Sequence, residues 1–527
     1  MSSSGEDFTR QQLRRISPAS RYGLLIGPPL ALLVYLLLPA DDPQLPEAAR
    51  LTAGVATLMA LWWMTEAIPL AATALLPIVL LPLLNIAPLN EAAGPYASKF
   101  IFLFLGGFLI ALAIERCGLH RRIALRIIAL VGTQPPRLIG GFMIATALLS
   151  MWISNTATSV MMLPMALGVI SLLTGKWQEK LTGANEADAA LTRERAQRSI
   201  DHFSAALLLS IAYSASIGGI ATLVGTPPNA FMAGLLHDQG IDIGFAQWMM
   251  LAAPLSLVFL FVSWWLLTHW LFPVRVKEIP GGRELIHAEL KALGRMSRGE
   301  WTVAAVFLAT ATMWIARSPL QGWQSLVQFA PWVARVDDAI IAMVAALSLF
   351  AIPTDWKAGQ TALDWNTAKR MPYEILILFG GGLSLAAAVD NSGLAAWICG
   401  YVAGVPVGST VVIVLLATAV VIYLTELTSN LATASVFLPV LYAAAGSLNA
   451  KGGQGVDPLL LVIPAALAAS CAFMLPVATP PNAVVYGSGK LRIGQMIRAG
   501  FLLNFIAIAL IMLTIYLIGP VVFGLKL

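Results

Sequence analysis

Two eleven-residue stretches, SNTATSVMMLP from Ser154 and SNLATASVFLP from Ser429, repeat one pattern of Ser-Asn, Ala-Thr and Leu-Pro at an offset of 275 residues. The same offset relates FLGGFLIALAIERCGL from Phe104 to FGGGLSLAAAVDNSGL from Phe379. A third pair, GTPPNA from Gly225 and ATPPNA from Ala478, follows in the same order at an offset of 253. Three motif pairs in one order predict that the chain consists of two related halves.

The composition places these halves in a lipid bilayer. Of the 527 residues 58% are hydrophobic and only 11% are charged, so the apolar surface exceeds what a soluble core could bury. A transmembrane helix needs about 20 apolar residues. Segments that meet or approach this length are 22–40, 51–68, 70–88, 98–115, 247–271, 301–316, 337–352 and 497–522. We expect an all-α polytopic membrane protein with about eleven transmembrane helices.

Polar and helix-breaking motifs interrupt several of the apolar segments. They predict two re-entrant hairpins, near 138–173 and 408–446, and two interrupted helices, near 202–236 and 458–487. Irregular backbone at membrane depth is tolerated only inside protein or beside a water-filled cavity, so the hairpin tips and the interruptions should meet in one site. Five crossings per unit would invert the second unit, which is the inverted repeat typical of secondary transporters.

The basic residues predict the orientation of the chain. With the N-terminus in the cytoplasm, 26 of the 32 Lys and Arg residues fall in cytoplasmic segments, as the positive-inside rule requires. The C-terminus is then external, and we expect a multi-pass protein of the cell inner membrane. The expected regions are a cytoplasmic N-terminus with the first helix (1–50), repeat 1 (51–271), a cytoplasmic linker (272–300) and repeat 2 (301–527).

Other classes of function fit the residues poorly. The net charge of +5 is scattered over short loops rather than gathered on one surface, which argues against a nucleic-acid partner. An intramembrane enzyme would need a nucleophile with a base, paired acids or metal ligands at membrane depth, and we assign no catalytic residue. A channel is also disfavoured, because two similar but non-identical tips in one chain suit alternating access better than a symmetric filter.

The interrupted motifs predict two sodium sites. Pro227-Pro228 and Pro480-Pro481 bar continued α-helix and free the carbonyl groups that precede them. Sodium is a hard ion that suits carbonyl, hydroxyl and amide oxygens. The predicted ligands are Ser150, Ser154, Asn155 and Gly225 in the first half and Thr425, Thr428, Asn430 and Ala478 in the second, with Gly225 and Ala478 acting through backbone oxygen.

The same motifs constrain the substrate. No Arg, Lys or His occurs in 150–165, 222–230, 425–439 or 476–483, so an anion bound there must be balanced by sodium and by the positive N-terminal ends of helices. Glu426 is an isolated intramembrane acid with two interpretations, strengthening a cation site or capping a helix. For the glycine-rich helices we favour a role in helix packing.

The pair SNTAT and TELTSNLAT, with GTPPNA and LPVATPPNA, resembles the divalent anion/sodium symporter family, the INDY-type dicarboxylate transporters, over most of residues 50–525. The resemblance implies a homodimer in which a transport domain moves as an elevator against a scaffold domain. It also implies symport of succinate-, malate-, fumarate- or citrate-like anions with several sodium ions, without an organic cofactor. The partners are then the carboxylate, the lipid bilayer and a second copy of the chain.

Carried over by motif position, the resemblance also implies the substrate contacts. Carboxylates would contact Asn155, Thr156, Thr226, Asn430 and Thr479 or Pro480. Leu431 stands where a doubled Ser-Asn-Thr pattern has its second threonine, and it enters the predicted substrate site as a specificity position. Apolar residues there resemble animal di- and tricarboxylate members more than a sulfate carrier. A sodium-independent dicarboxylate exchanger and a sulfate or inorganic anion symporter remain alternatives.

Overall fold

The computed structural model describes residues 18–181, 186–274, 281–402, 409–449 and 456–525. Some predicted segments lie partly outside these residues, namely the cytoplasmic N-terminus, the linker, the start of the second hairpin and the last two residues of repeat 2. The described part is nearly all α-helical, which confirms the predicted fold class.

The first half contains twelve helices in its described residues. In chain order these are α1 (Pro18–Leu37), α2 (Glu47–Thr65), α3 (Leu70–Thr73), α4 (Leu76–Leu83), α5 (Leu89–Ala93), α6 (Lys99–Arg116), α7 (Leu119–Val131), α8 (Pro135–Ser150), α9 (Asn155–Leu181), α10 (Glu186–Ile220), α11 (Pro227–Asp238) and α12 (Phe245–Trp265). A 3-10 turn at Gly94–Ala97 follows α5, and a π-helix at Leu266–Leu271 continues α12.

The second half adds thirteen helices and one β-ribbon within its described residues. The helices are α13 (Gly282–Ala292), α14 (Arg298–Gly322), α15 (Gln324–Phe329), α16 (Asp338–Ala351), α17 (Trp365–Ala368), α18 (Tyr373–Asn391), α19 (Leu394–Val402), α20 (Thr410–Thr425), α21 (Asn430–Asn449), α22 (Leu459–Ala469), α23 (Pro480–Tyr486), α24 (Ile493–Leu517) and α25 (Gly519–Phe523). A 3-10 turn at Pro331–Arg335 precedes α16. Strands β1 (Pro353–Asp355) and β2 (Gln360–Thr361) pair antiparallel after α16, a small ribbon that the sequence analysis did not predict.

The order of elements repeats between the two halves. Helices α8 and α9 flank a first tip (151–154), as α20 and α21 flank a second tip (426–429). Helices α10 and α11 flank a first interruption (221–226), as α22 and α23 flank a second interruption (470–479). A long helix follows in each half, α12 in the first and α24 in the second. Membrane re-entry at the tips and inversion of the second unit stay predictions.

Eight helices in the described residues are long and apolar enough to cross a bilayer. They are Pro18–Leu37, Leu89–Arg116, Asn155–Gly175, Gln197–Ile220, Phe245–Leu271, Arg298–Gly322, Tyr373–Asn391 and Ile493–Leu517. Shorter apolar helices, α16, α20 and α22 among them, accompany these eight. The number of crossings therefore stays a prediction, because short helices beside an interruption can share one crossing.

The two interrupted helices run through the centre of the protein. All residues of α22 are buried, and so is the most apolar part of α10. By contrast, only 17% of the apolar window of α1 and 22% of that of α14 is buried, as in helices that face lipid. The first interruption (221–226) is buried throughout, as irregular backbone at membrane depth must be, whereas Val477 of the second interruption is 82% exposed.

The glycine-rich helices pack closely against their neighbours. A Cβ atom at Gly106 on α6 would lie 2.7 Å from the carbonyl carbon of Ala342 on α16, and one at Gly381 on α18 would overlap the backbone of Ala74. Only glycine allows these backbones to approach so closely. The packing interpretation of this motif pair is confirmed at both positions.

A buried ion pair fixes α7, which leads into α8 and the first tip. The Arg122 Nε lies 2.6 Å from the Glu300 carboxylate, and both residues are 5% exposed. Arg122 also donates to the carbonyl oxygen of Gly294 at 2.9 Å. A buried pair needs such additional hydrogen bonds to offset its desolvation. The contacts hold α7 against the start of α14.

Candidate sodium and carboxylate site

The first tip joins a hydroxyl group to an amide group. Helix α8 ends at Ser150 and α9 begins at Asn155, and the Ser150 hydroxyl donates to Asn155 Oδ1 at 2.5 Å. Ser154 caps α9, since its Oγ accepts the backbone N–H of Ala157 at 3.2 Å. Three predicted sodium ligands are therefore gathered at one tip.

The first interruption is tied both to its own helix and to the first tip. Two prolines open α11, where the missing N–H groups cost no helical hydrogen bond. Behind them, Asn229 Nδ2 donates to the carbonyl oxygens of Ile220 at 3.0 Å and Thr222 at 2.8 Å. The Thr222 hydroxyl donates in turn to the carbonyl oxygen of Met151. The unwound backbone is thus held in place from two sides.

A glycine brings the first tip and the first interruption into contact. A Cβ atom at Gly219 would lie 2.7 Å from Asn155 Oδ1 and 3.0 Å from the carbonyl oxygen of Gly225. Asn155 and Gly225 therefore both lie against Gly219, and Ser150 joins them through its bond to Asn155. Hydroxyl, amide and carbonyl oxygens, which suit a hard cation, therefore lie close together here, and their binding of sodium stays a prediction.

The second tip repeats the hydroxyl–amide pair. Thr425 Oγ1 lies 2.9 Å from Asn430 Oδ1 and also 2.9 Å from the carbonyl oxygen of Ala469, and either oxygen can accept its single proton. Thr428 Oγ1 lies 2.5 Å from Thr433 Oγ1. Thr425 and Asn430 therefore lie side by side, while the Thr428 hydroxyl contacts Thr433 of α21 and the carbonyl oxygen of Leu424 of α20, the latter at 3.1 Å.

The second interruption is held by the equivalent asparagine. Asn482 Nδ2 donates to the carbonyl oxygens of Ala472 at 3.1 Å and Leu475 at 3.0 Å. At the start of α23, the backbone N–H of Asn482 donates to Thr479 Oγ1 at 3.3 Å, so that Thr479 caps this helix. The predicted substrate residue Thr479 thus also has a structural role.

Glu426 caps unwound backbone at the second interruption. Its carboxylate accepts three consecutive backbone N–H groups, from Phe473 at 2.7 Å, Met474 at 2.9 Å and Leu475 at 3.2 Å. Asn504 Nδ2 of α24 donates to it as well, at 2.8 Å. Four donors can satisfy most of the acceptor sites of a buried carboxylate. These N–H groups lie between α22, which ends at Ala469, and α23, which begins at Pro480, so Glu426 caps unwound backbone rather than a helix, and its role at a cation site stays a prediction.

The two tips have different surroundings. Trp152 of the first tip stacks on Phe245 and Trp314, with ring centroids 5.9 and 6.1 Å away. Leu427 occupies the equivalent position of the second tip and is 70% exposed. The first tip is therefore docked against α12 and α14, whereas the second presents an apolar side chain outward.

The predicted substrate residues fall into two groups by exposure. Thr156 and Pro480 are exposed, whereas Thr226, Thr479 and Leu431 are 1%, 3% and 4% exposed. The two tip asparagines are intermediate. The structure thus places the two threonines of the interruptions and Leu431 in the interior, and Thr156 and Pro480 at an accessible surface.

A hydroxyl contact joins the two interruptions. Thr226 Oγ1 lies 3.4 Å from Ser470 Oγ, and both residues are 1% exposed. Ser470 follows Ala469, whose carbonyl oxygen is bonded to Thr425. Ala478 is also buried, and its N–H donates to the carbonyl oxygen of Leu475 at 3.2 Å. These contacts connect the oxygen clusters of the two halves.

Helix N-termini supply positive potential to this region. Helices α9 and α21 begin at the tips, and α11 and α23 begin at the interruptions. The N-terminus of a helix is equivalent to about half a positive charge. Helices α9 and α21 also present N–H groups there, whereas α11 and α23 begin with two prolines, which have none. Together with bound cations, four such ends could hold a carboxylate anion without a basic side chain.

Sequence reasoning missed several polar residues of this region. Asn229 and Asn482 stand in the duplicated PPNA motif, so their recurrence was a usable signal. Asn504 is the only asparagine in the apolar helix α24, where a polar side chain is costly and therefore informative. Thr222 and Ser470 belong to no repeated motif, and they contact Met151 and Thr226, which lie far away in sequence.

Comparison with known proteins identifies the family. The family model of the sodium:sulfate symporter transmembrane region matches residues 22–525. The chain belongs to this family. It is the divalent anion/sodium symporter family that the duplicated motifs resemble, so that resemblance is confirmed. As a member of a family of membrane transporters with many apolar helices, the protein is a multi-pass membrane protein.

Among the relatives of this symporter-family chain are two proteins named sodium-dependent dicarboxylate transporter SdcS. The one from Staphylococcus saprophyticus is 42% identical over 504 residues, covering 95% of this chain and 92% of the relative. The one from Staphylococcus aureus is 40% identical over 521 residues, covering 98% and 95%. The likeness therefore extends along nearly the whole of each protein.

Two solved structures share the fold of this family member. The Alcanivorax borkumensis YdaH transporter aligns with a TM-score of 0.53 at 13% identity, over 96% of this chain and 98% of that one. MtrF from Neisseria gonorrhoeae aligns with a TM-score of 0.50 at 11% identity, over 93% and 98%. At such low identity the likeness concerns the fold alone.

Proposed function

We propose that this chain is a sodium-coupled symporter of small di- or tricarboxylates such as succinate, malate, fumarate and citrate. The observation that carries the proposal is the identity of 40–42% along at least 95% of the chain to the two SdcS proteins. The duplicated cluster of hydroxyl, amide and carbonyl oxygens supports the sodium part. The four helix N-termini support an anionic substrate.

In this proposal the two oxygen clusters bind the coupling ions. Sodium binds at Ser150, Ser154, Asn155 and Gly225 and at Thr425, Thr428, Asn430 and Ala478. The carboxylate lies between the tips, near Asn155, Thr156, Thr226, Asn430, Leu431, Thr479 and Pro480. Because the motif segments contain no basic side chain, bound sodium supplies the charge that the anion needs, and the two bind cooperatively.

The energetics of coupling follow from the ion count. A tenfold sodium gradient contributes about 1.4 kcal/mol per ion. Each net charge that crosses the membrane gains about 2.3 kcal/mol per 100 mV. Two sodium ions with a dianion are electroneutral, so a third ion would add the membrane potential as a driving force.

The test is uptake of radiolabelled succinate by liposomes that contain the purified protein. An inward sodium gradient should drive uptake and a potassium gradient should not, with excess malate, fumarate or citrate competing. Sodium-independent uptake that requires dicarboxylate inside the liposomes would indicate an exchanger. Competition by sulfate alone would indicate an inorganic anion symporter. The Asn155→Ala/Asn430→Ala double variant is the control for succinate that enters the liposomes without using the proposed site.

The proposal includes the setting of the transporter. It lies in the inner membrane with a cytoplasmic N-terminus and an external C-terminus, because this orientation places 26 of 32 basic residues inside. It works as a homodimer whose transport domain moves as an elevator against a scaffold, and it transports without catalysing a reaction. Cross-linking in native membranes tests the dimer, and accessibility of single cysteines at each terminus tests the orientation.

A further inference from the structure

Two buried asparagines hold the interruptions by the same contacts in both halves. Asn229 and Asn482 are 0% exposed and correspond at the offset of 253. Asn229 Nδ2 lies 3.4 Å from the carbonyl oxygen of Gly219, and Asn482 Nδ2 lies 3.1 Å from that of Ala472, the residue 253 positions later. Their second contacts also correspond, since Thr222 and Leu475 are separated by the same offset.

The donor end of each amide carries these contacts. Nδ2 of both side chains donates to carbonyl oxygens of the unwound backbone, whereas Oδ1 of both has no hydrogen-bond donor within reach among the described residues. Unwound carbonyl groups repel one another when they converge, and a shared NH₂ donor offsets that repulsion. The NH₂ group is therefore the part of each asparagine that orders the interruption.

The ordered backbone leads directly to the predicted carbonyl ligands. In the first half, the N–H of Gly225 donates to Thr222 Oγ1 at 3.0 Å. In the second, the N–H of Ala478 donates to the carbonyl oxygen of Leu475 at 3.2 Å. Asn229 binds Thr222, which binds Gly225, and Asn482 binds Leu475, which binds Ala478. Each asparagine therefore orients the peptide group of Gly225 or Ala478 indirectly, through one intervening residue.

We propose that Asn229 and Asn482 are positioning residues of the two sodium sites. They set the direction of the Gly225 and Ala478 carbonyl groups and so determine affinity and selectivity for sodium, without binding the ion themselves. This inference rests on the proposed function, because it takes those two carbonyl groups as sodium ligands. The duplication is its main support, since one packing asparagine would not recur with both carbonyl partners in register.

The test compares variants of equal shape. Asn229→Val and Asn229→Thr have the same volume and differ in one hydroxyl donor, and the same pair is made at Asn482. We expect the valine variants to raise the half-saturating sodium concentration by about tenfold and the threonine variants to recover part of that loss, since each hydrogen bond accounts for roughly a fivefold change. The ratio of lithium-driven to sodium-driven uptake should also change more in the valine variants than in the threonine variants.

The readouts are binding of ²²Na to the purified protein and sodium-dependent uptake of succinate in liposomes. A role in packing alone would affect both members of each pair equally. Equal behaviour of Val and Thr, or a lower maximal rate at unchanged half-saturating sodium, would overturn the inference. Thr222→Val breaks the next link in the chain of contacts, so it should reproduce the sodium shift even where a variant at Asn229 fails to fold.

The two proposals fail in different ways. Sodium binding without succinate uptake in the unmodified protein would overturn the proposed substrate, yet the comparison of variants would stand on ²²Na binding. Absence of sodium binding to the unmodified protein would overturn the sodium sites and this inference with them.

Discussion

Ser150 and Asn155 are hydrogen-bonded across the first tip, with 2.5 Å between Oγ and Oδ1. Residues 275 positions later repeat the pair, with 2.9 Å between Thr425 Oγ1 and Asn430 Oδ1. The side chain at the first position changes from serine to threonine, while the hydroxyl group and its amide partner stay. The two tips therefore share a hydroxyl oxygen beside an amide oxygen. The extra methyl group of Thr425 does not change this pair.

Removal of the Thr425 hydroxyl should weaken sodium binding. Thr425→Val keeps the shape of the side chain and removes a hydroxyl that the proposed function makes a sodium ligand, so the half-saturating sodium concentration for uptake should rise by about tenfold. Thr425→Ser keeps the hydroxyl and serves as the matched control, with a change of less than about twofold expected. Equal sodium curves for the two variants would remove Thr425 from the site.

Loss of either tip asparagine should abolish transport. Asn155→Ala and Asn430→Ala each remove groups that the proposal assigns to both ion and substrate, so initial uptake should fall by about a hundredfold or more. Asn90→Ala, at an exposed asparagine of α5, controls for insertion and protein amount. Near-normal uptake by either tip variant would contradict a shared site.

Leu431 should influence the choice among anions. Leu431→Thr introduces a hydroxyl beside Asn430 and should alter competition among succinate, citrate and sulfate more than it alters sodium dependence. Because Leu431 is 4% exposed, the smaller side chain also leaves a cavity, and Leu431→Val matches that volume without the hydroxyl. Identical competition profiles for Thr and Val would place Leu431 outside the substrate pocket.

Neutralisation of Glu426 should destabilise the second interruption. Glu426→Gln replaces one acceptor oxygen by an NH₂ group that faces backbone N–H donors, at an expected cost of about 2 kcal/mol or more. The thermal unfolding midpoint in detergent should therefore fall. Glu374→Gln, at an exposed glutamate of α18, is the control, and an equal effect of the two substitutions would refute the capping role.

Gly500 should be the position on α24 that is least tolerant of a side chain. A Cβ atom there would overlap the backbone of Phe473, whereas one at Gly494 on the same helix has open space around it. Gly500→Ala should lower the unfolding midpoint, and Gly494→Ala should leave it unchanged or raise it slightly, because alanine is the better helix former. The comparison needs only thermal unfolding of two purified variants.

The sequence predicted the interruptions well because their causes are local. Adjacent prolines open α11 and α23, and the Ser-Asn pairs open α9 and α21, through their own backbone chemistry. The offsets paired the halves before any contact was known. The start of α10 at Glu186 was not predicted, since its polar, helix-forming residues lie outside the apolar pattern. The partners of Glu426 could not be predicted from the sequence, because Phe473 and Asn504 contact it only through tertiary packing.

The contacts of the second interruption also bear on the order in which the protein is assembled. Those of the first, from Thr222 to Met151 and from Asn229 to Ile220, join residues that are all synthesised before α12. The second depends on Asn504 and Gly500, which lie on the last long helix. During synthesis those contacts of the first interruption can form while the ribosome is still translating the second half, although the contact of Thr226 with Ser470 can form only afterwards. The contacts of the second interruption with Asn504 and Gly500 can form only after α24 has been synthesised.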